Sequence, residues 1–368
     1  MISSSVTRRC LAMKNTSWSQ LCRKLEKCRI ATRHFVHSQA HSKHSCASFH
    51  LAWRGVVRVS GRDTVDFLQG LVTNDLTQLC MNQSGAMYSM MLNIQGRVQF
   101  DLLLYNHSKT SDDLCFLIEC DGDLKDDFIK TIKRFKIRRK VDISDVSSEY
   151  QVWSVLSGND PTSKKALNSS TEDSPKTPVE KPEADQSNNH SFPHAAFCLP
   201  DPRVGHFGHR VIFRCGEATI NMTGKPADYH EARYRWGIPE GPADLPPGNC
   251  LPLESNLELM HGVSFSKGCY IGQELTARTY HTGVIRKRLV PLVFERPDVD
   301  VASDSQISTE HGKNAGKFRS LSGDRGLGLL RLAYVNEQLS INSTHGHKIG
   351  ATAYIPGWWP EGVFKNVP

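Results

Sequence analysis

One long segment limits how this chain can fold. Residues 157–195 consist mainly of Ser, Asn, Pro, Lys and Glu and contain almost no large apolar side chains. A segment with so little to bury cannot offset the entropy of ordering its backbone, so this composition predicts a disordered insertion. The folded core must therefore be built from the residues that precede and follow it.

Strand-length apolar runs fill the chain before the insertion. Residues 51–61 alternate between apolar and polar side chains, and residues 114–119 form a shorter apolar run. Residues 86–105 indicate two strands joined at Asn93–Gly96, which is typical of a β-hairpin. A basic helix is predicted over 123–136. Strands mixed with helices in this way predict an α+β domain.

The helical patterns identify the faces that should be buried. In the basic helix, Phe128, Ile132 and Phe135 share one face, which we expect to pack on a sheet. A second helix is predicted over about 225–236, after the insertion. Its first turn contains a proline, a residue that helices accept at that position.

The last part of the chain has a different pattern. From residue 284 onward it is punctuated by glycine and poor in helical periodicity. Strands are predicted at 286–294, 326–335 and 348–355. Short strands separated by glycine-containing turns favour a small β-barrel.

The positive charge is concentrated at the start of the chain. Residues 1–50 contain nine basic side chains and one acid, a formal charge of +8, whereas the whole chain carries +7. The remaining residues therefore carry −1, and a nucleic-acid partner loses its main electrostatic support. A basic, acid-poor, amphipathic start is typical of a mitochondrial transit peptide, and a disordered basic tail is the alternative. No stretch reaches the roughly 20 uninterrupted apolar residues of a membrane span.

These observations predict three regions. They are a transit peptide over residues 1–49, an α+β body over 50–283 that contains the insertion, and a C-terminal β-barrel domain over 284–368. The transit peptide predicts a mitochondrial matrix location.

The cysteines do not form a recognisable framework. Four of the eleven lie in the leader, and the remaining seven are irregularly spaced, with no CxxC pair. This spacing disfavours a zinc ribbon or a thioredoxin-like site, and free thiols are expected in a reducing compartment. A thiol-redox function would need a resolving cysteine, and none stands out.

The segment KGCYIGQE, residues 267–274, is the most unusual in the chain. Two glycines flank Cys269, so the backbone can approach another chain or a ligand closely. If a helix begins near residue 271, its positive end and the neighbouring Lys267 both favour the thiolate of Cys269. Thiolate is the form that ligates iron; a structural cysteine in a turn is the alternative. Glu274 and Arg278 are spaced to pair along the helix.

This segment resembles the signature of the YgfZ-type family, whose members are related to the T-protein, the aminomethyltransferase of glycine cleavage. Further similar segments follow the family's order. They are GRDTVDFLQGLVTND (61–75), MMLNIQGRVQFDLLLY (90–105), DPRVGHFGHRVI (201–212), YRWGIPEG (234–241), LPLESNLELMHGVSFSKGCYIGQE (251–274) and AGKFRSLSGDRGLGLLRLAYV (315–335). The resemblance implies ferredoxin-like α/β halves around a central folate-sized channel, followed by a small C-terminal barrel.

The same resemblance implies a rival function, folate-dependent aminomethyl transfer. True T-proteins use an aspartate pair after the glycine turn, but here Phe100 replaces one carboxylate and only Asp101 remains. Arg97 stands where the family has a small glycine. We therefore assign no catalytic residue and expect no independent turnover. Lys267, Asp101, Arg97 and Glu274 are the candidate residues for binding tetrahydrofolate.

Cys269 is the candidate metal ligand. Iron–sulfur clusters usually take four protein ligands, mostly thiolates, and no second cysteine lies within twelve residues of Cys269. We therefore expect a shared cluster, [2Fe-2S] in type, whose other ligands come from a partner or glutathione. The resemblance implies A-type iron–sulfur carriers as partners, four-iron enzymes such as aconitase as clients, and a mitochondrial assembly function. His261, His281 and Arg286 flank the signature and are candidates for the partner surface.

Overall fold

The computed structural model describes residues 47–81, 85–110, 113–156, 194–218 and 220–363, together with the single residues 158 and 192. The predicted leader lies outside these residues except for its last three positions, and the predicted insertion lies almost wholly outside them. Within the part described, no helix is long and apolar enough to cross a membrane.

The strands of the body fall before and after the insertion. They are β1 (Ala47–His50), β2 (Arg54–Ser60), β3 (Ala86–Leu92), β4 (Val98–Asn106), β5 (Cys115–Asp121), β6 (Asp142–Asp145), β7 (Tyr150–Leu156), β8 (Ala195–Pro200) and β9 (Gly208–Arg214). The helices are α1 (Thr64–Gln69), α2 (Leu76–Met81), α3 (Lys125–Lys136), α4 (Pro226–Trp236), α5 (Gly241–Asp244) and α6 (Gln273–Thr282).

A five-stranded antiparallel sheet carries the first half of the body. Its order is β3-β4-β5-β2-β6, and the predicted hairpin forms its β3–β4 edge. Both faces of this sheet are covered. In β4, Leu102 and Leu104 face the helices α1 to α3, whereas Leu103 and Tyr105 face the second sheet. Successive strand residues point to opposite faces, which explains the continuous apolar sequence of this strand.

A four-stranded antiparallel sheet forms the second half, in the order β1-β7-β9-β8. The main core lies between the two sheets and includes Phe49 from β1. Strand β1 therefore begins within the last three residues that the sequence analysis gave to the leader. The packing of Phe49 explains why the ordered body starts earlier than position 50.

Helix α3 agrees with the predicted span but not with the predicted face. Phe128 and Ile132 are buried against the sheet, whereas Phe135 is 39% exposed. The prediction that all three aromatic and aliphatic side chains share the buried face is wrong for Phe135. It lies in the last turn of the helix, where the sheet no longer covers that face.

Six further strands close into a barrel in the order β10-β13-β12-β11-β14-β15. Their bounds are β10 (Lys287–Phe294), β11 (Gln306–Thr309), β12 (Asn314–Ser322), β13 (Arg325–Arg331), β14 (Leu339–Asn342) and β15 (Lys348–Ala353). The predicted barrel is confirmed, and three of its strands, β10, β13 and β15, were predicted from their apolar runs. Trp359 is buried in its core.

Candidate functional site

The signature loop, residues 267–272, lies against the turn of the β3–β4 hairpin. Gly272 has φ +77° and precedes α6, which begins two residues later than predicted. A Cβ on Gly272 would lie 2.2 Å from the carbonyl oxygen of Asn93 and 3.1 Å from Cα of Gly96. Only glycine combines this backbone conformation with so close an approach. Gly272 and Gly96 therefore let the backbone of the loop pack directly on the backbone of the hairpin turn.

Lys267 anchors the other end of the loop. Its Nζ donates hydrogen bonds to the carbonyl oxygens of Gln69 (2.8 Å), Val72 (2.7 Å) and Asn74 (2.6 Å), just after α1. These bonds use all three donors of an ammonium group. Burial lowers the pKa of Lys267 to about 8, whereas the Asp75 carboxylate favours the charged form. Lys267 therefore has a structural function in this fold, and its predicted contact with folate stays a prediction.

Backbone contacts hold the segment between these anchors. The amide of Ile271 donates to the carbonyl of Gly70 (3.1 Å), and the amide of Ser264 donates to that of Thr73 (3.1 Å). The Thr73 hydroxyl in turn donates to the carbonyl of Gly262 (2.7 Å). Residues 262–272 thus lie along the segment that follows α1, and Cys269 is presented on a loop of defined shape.

Cys269 is exposed on this loop, and no atom would contact a Cβ added at the preceding Gly268. Among the seven cysteines in the described part of the chain, only Cys215 is exposed as well. Burial raises the pKa of the Cys198 and Cys250 thiols to about 11 and that of Cys120 to about 12. These three favour the protonated form, which is a poor metal ligand.

The surface beside the loop is apolar. Ile94, in the hairpin turn that Gly272 contacts, is 86% exposed. On α6, Tyr280 stacks on Phe265 with ring centroids 3.6 Å apart and is still 48% exposed. His281 contacts the same pair edge-on. Exposed apolar groups of this kind mark surfaces that bind other proteins.

A groove of about 320 Å³ runs along the other side of α6. It is lined by Leu275 and Thr279 of the helix, by Val284, and by Arg286 at the start of the barrel. Of the residues predicted to flank the partner surface, Arg286 lies in this groove and His281 lies on the aromatic pair. The third, His261, is exposed and precedes the signature loop in the chain, whereas His281 and Arg286 follow it.

Phe100 and Asp101 lie on opposite faces of β4. Phe100 packs edge-on against Phe128 of α3, with ring centroids 5.3 Å apart, in the outer core. Asp101 points between the two sheets, where it is 3% exposed and accepts a hydrogen bond from the amide of Gly241 (3.3 Å). Two adjacent strand residues cannot line one site together. Phe100 and Asp101 therefore lie in different environments in this chain, and the replacement of a family carboxylate by Phe100 stays a prediction.

Asp101 belongs to a buried network of charged side chains that the sequence analysis did not identify. Arg54 donates to Glu119 (2.7 Å) and lies 3.6 Å from Asp101. Arg203 and Arg210 both donate to Glu240 (2.8 Å each). The sequence contains one signal for this network, which is a single charged residue within an apolar strand, such as Glu119 in CFLIECD. Because a buried charge needs a partner, such a residue predicts a buried ion pair.

The network sets the charge of its acids. Burial raises the pKa of Asp101, and the Arg54 guanidinium opposes that effect. Burial would also raise the pKa of Glu240, but Arg210, Arg54 and Arg203 overcome it and hold that pKa well below its usual range. Glu240 is therefore an anion at neutral pH that pairs with Arg203 and Arg210. Arg210 also lies 3.3 Å from Glu119 of the first sheet, and this ion pair links the two halves of the body.

The remaining candidate ligands lie outside this network. Arg97 is half-buried beside the hairpin turn and donates to the carbonyl of Asn249 (3.0 Å). Glu274 is exposed and lies 3.6 Å from Arg278, so the predicted pair along the helix is confirmed. The structure thus brings Arg97, Lys267 and Glu274 to the neighbourhood of the signature loop and places Asp101 in the interior. Binding of folate by Arg97 and Glu274 remains a prediction.

The described residues contain no group of three or more His, Cys, Asp or Glu side chains that could hold a metal ion. The expectation that a cluster at Cys269 takes its other ligands from a partner or glutathione stays a prediction.

Two family models match the sequence. The GCVT N-terminal domain matches residues 23–180, and the CAF17 C-terminal beta-barrel domain matches residues 286–361. The mouse protein named iron–sulfur cluster assembly factor IBA57, mitochondrial, is 41% identical over 325 residues, which cover 85% of each chain. The human protein of the same name is 39% identical over the same length and coverage.

Among solved structures, aminomethyltransferase T of the glycine cleavage system from Bartonella henselae matches with a TM-score of 0.60. The match is 14% identical and covers 86% of this chain and 87% of that one, so it shows a shared fold. The aminomethyltransferase-like fold with a C-terminal barrel is therefore confirmed. On the identity and coverage of its relatives, this chain belongs to the family of the iron–sulfur cluster assembly factor IBA57.

Proposed function

We propose that this protein acts in the mitochondrial matrix with an A-type iron–sulfur carrier to mature four-iron proteins, and that Cys269 is a ligand to a cluster shared between the two. The names of its mouse and human relatives and the basic leader support the location and the pathway. The observation that carries the proposal is the exposure of Cys269 on a loop fixed at both ends.

The surroundings of Cys269 favour exchange of a cluster over its retention. One thiolate can complete a coordination shell, and the described residues contain no group of three or more His, Cys, Asp or Glu side chains that could hold a metal ion by itself. A thiolate on a fixed loop loses little conformational entropy when it binds, so a partner that brings the other ligands can form the complex at low cost. The cluster is therefore cargo passed between proteins.

The apolar surface beside the loop fits the same function. Ile94, in the hairpin turn that Gly272 contacts, and Tyr280, on the helix that follows the signature loop, are both exposed. A carrier that docks here would cover these side chains and exclude water from the cluster. The two events, docking and ligation, would then stabilise one another.

The test is cluster transfer to apo-aconitase under anaerobic conditions, with an A-type carrier supplied with iron and sulfide. Aconitase activity should appear with the wild-type chain and be lost with Cys269→Ser. Cys215→Ser is the matched control, because it removes the other exposed cysteine of the described residues, and it should behave as wild type. Equal loss in both variants, or in neither, would contradict the assignment to Cys269.

Tetrahydrofolate is the second candidate ligand, and one observation favours it. Arg54 Nη1 and Nη2, Tyr88 OH, Asp101 Oδ2 and Glu240 Oε1 are buried and make no hydrogen bond within the described residues. Donors and acceptors left over in one interior region fit the polar edge of a pterin. Binding should then appear in anaerobic calorimetric titration, be weakened by Asp101→Asn, and be unchanged by Cys269→Ser. Absence of binding to the wild-type chain would exclude this candidate.

A further inference from the structure

The C-terminal end of α3 forms a strongly basic surface. Between residues 130 and 140 the chain contains seven Lys and Arg side chains, and no acid occurs from 128 to 141. Six of the seven are exposed, and none forms an ion pair with an acid in the part of the chain that the structure describes. Two acids lie beside this surface: Asp126, in the first turn of α3, and Asp63, just before α1, whose carboxylate accepts a hydrogen bond from the backbone amide of Lys140 (2.7 Å).

Two apolar side chains project from this basic surface. Phe135 is 39% exposed, and Ile137, immediately after the helix, is 84% exposed. Ile137 also has φ +45°, a conformation that is costly for a β-branched residue. Neither side chain contributes to the core clusters of the body. The fold thus holds an isoleucine in a strained conformation and directs it to solvent among cations.

We propose that this surface, residues 130–140, binds the anionic surface of a membrane. Peripheral proteins combine basic side chains, which pair with anionic headgroups, with apolar side chains that insert at the boundary of the acyl chains. A partner that binds only by charge, such as a nucleic acid or an acidic protein, would offer Ile137 no apolar contact. The opposite face of α3, with Phe128 and Ile132, is buried on the sheet, so the basic face is free to bind.

The proposal concerns a surface separate from Cys269 and does not depend on the cluster function. Seven bases near an anionic bilayer are enough for reversible binding without a membrane span. Such binding would concentrate the protein at the membrane, where it could meet clients that reside there.

The test is partition of the full chain onto vesicles, compared between pure phosphatidylcholine and phosphatidylcholine with phosphatidylglycerol. Wild type should bind the anionic vesicles and not the neutral ones. The triple variant K130E/K133E/R134E should bind them at least roughly tenfold more weakly. The matched control K313E/K317E/K348E reverses three exposed bases of the barrel. Both triple variants change the net charge by the same amount and keep the basic leader. The control should therefore bind anionic vesicles more tightly than K130E/K133E/R134E.

A second variant separates insertion from charge. Ile137→Gly relieves the positive φ, so it should unfold at the same or a higher temperature, and yet bind anionic vesicles several-fold more weakly. Equal weakening by the two triple variants, or equal wild-type binding to both vesicle types, would overturn the proposal. Retention on a heparin column gives a further check. If K130E/K133E/R134E lost this retention but bound vesicles as wild type does, the proposal would also be overturned, because the surface would then recognise an acidic macromolecule.

Discussion

Replacing Gly272 by alanine tests whether the signature loop is held by backbone contact with the hairpin. At φ +77° an alanine costs about 1–2 kcal/mol relative to glycine. Its Cβ would also lie 2.2 Å from the Asn93 carbonyl oxygen and 2.9 Å from the Leu92 Cβ, and overpacking of this kind costs about 1–3 kcal/mol more. We therefore expect Gly272→Ala to lower the free energy of unfolding by about 2–5 kcal/mol.

Gly312 supplies the control. It has φ +76°, and nothing would lie within 4 Å of an added Cβ, so Gly312→Ala should lose only the conformational part, about 1–2 kcal/mol. Urea unfolding followed by circular dichroism measures both variants, with the slope m serving to check that the transition stays comparable. The difference between them isolates the close approach. If Gly272→Ala costs no more than Gly312→Ala, the loop is not fixed in the way that the structure indicates.

Two further predictions concern residues around the site and the body. Lys267→Met keeps the apolar stem but leaves three carbonyls without their donor, so it should lower the free energy of unfolding by about 2–4 kcal/mol and weaken carrier binding, both measured on the same preparation. Wild-type urea midpoints in that variant would contradict the anchoring function. His230 accepts a hydrogen bond from Arg233 on Nδ1, and burial followed by the Arg233 charge lowers its pKa to about 4. Since the unfolded value is about 6.5, the unfolded chain takes up the proton first, and stability should fall as the pH decreases from 6.5 to 4. His230→Gln should reduce that loss, by less than about 1.4 kcal/mol per pH unit because the ring is partly exposed, and an unchanged pH dependence of the urea midpoint would refute it.

Local patterns predicted most of the elements but not how charges are buried between them. The β3–β4 hairpin, α3, α4 and the barrel follow from apolar periodicity and turn residues that act over a few positions. Strands β11 and β14, of four residues each, and the nine-residue β12 are not predicted, because barrel strands of mixed polarity give a weak signal. Distant parts of the chain contribute Arg54, Glu119 and Glu240 to one network, and no local rule brings them together.

The sequence predicts where the candidate site lies, but it does not predict the tertiary contacts that hold the site in place. The two glycines that flank Cys269 predict a close approach, and the structure shows one at Gly272, with the hairpin turn as the contacted element, but none at Gly268. Lys267 was read as a neighbour of the thiol, whereas its partners are carbonyls almost 200 positions earlier in the chain. Phe100 and Asp101 are adjacent in the sequence, but strand alternation places them on opposite faces of β4. In each case the deciding contact is tertiary.

The central claim is that Cys269 ligates a cluster shared with a carrier. Anaerobic reconstitution with iron and sulfide, using an A-type carrier mixed with the wild-type chain, Cys269→Ser or Cys215→Ser, tests it directly by visible absorption recorded during size-exclusion chromatography. A coloured complex of the two proteins should form with wild type and Cys215→Ser and be absent with Cys269→Ser. A complex that keeps its colour and its elution volume in Cys269→Ser would contradict the claim.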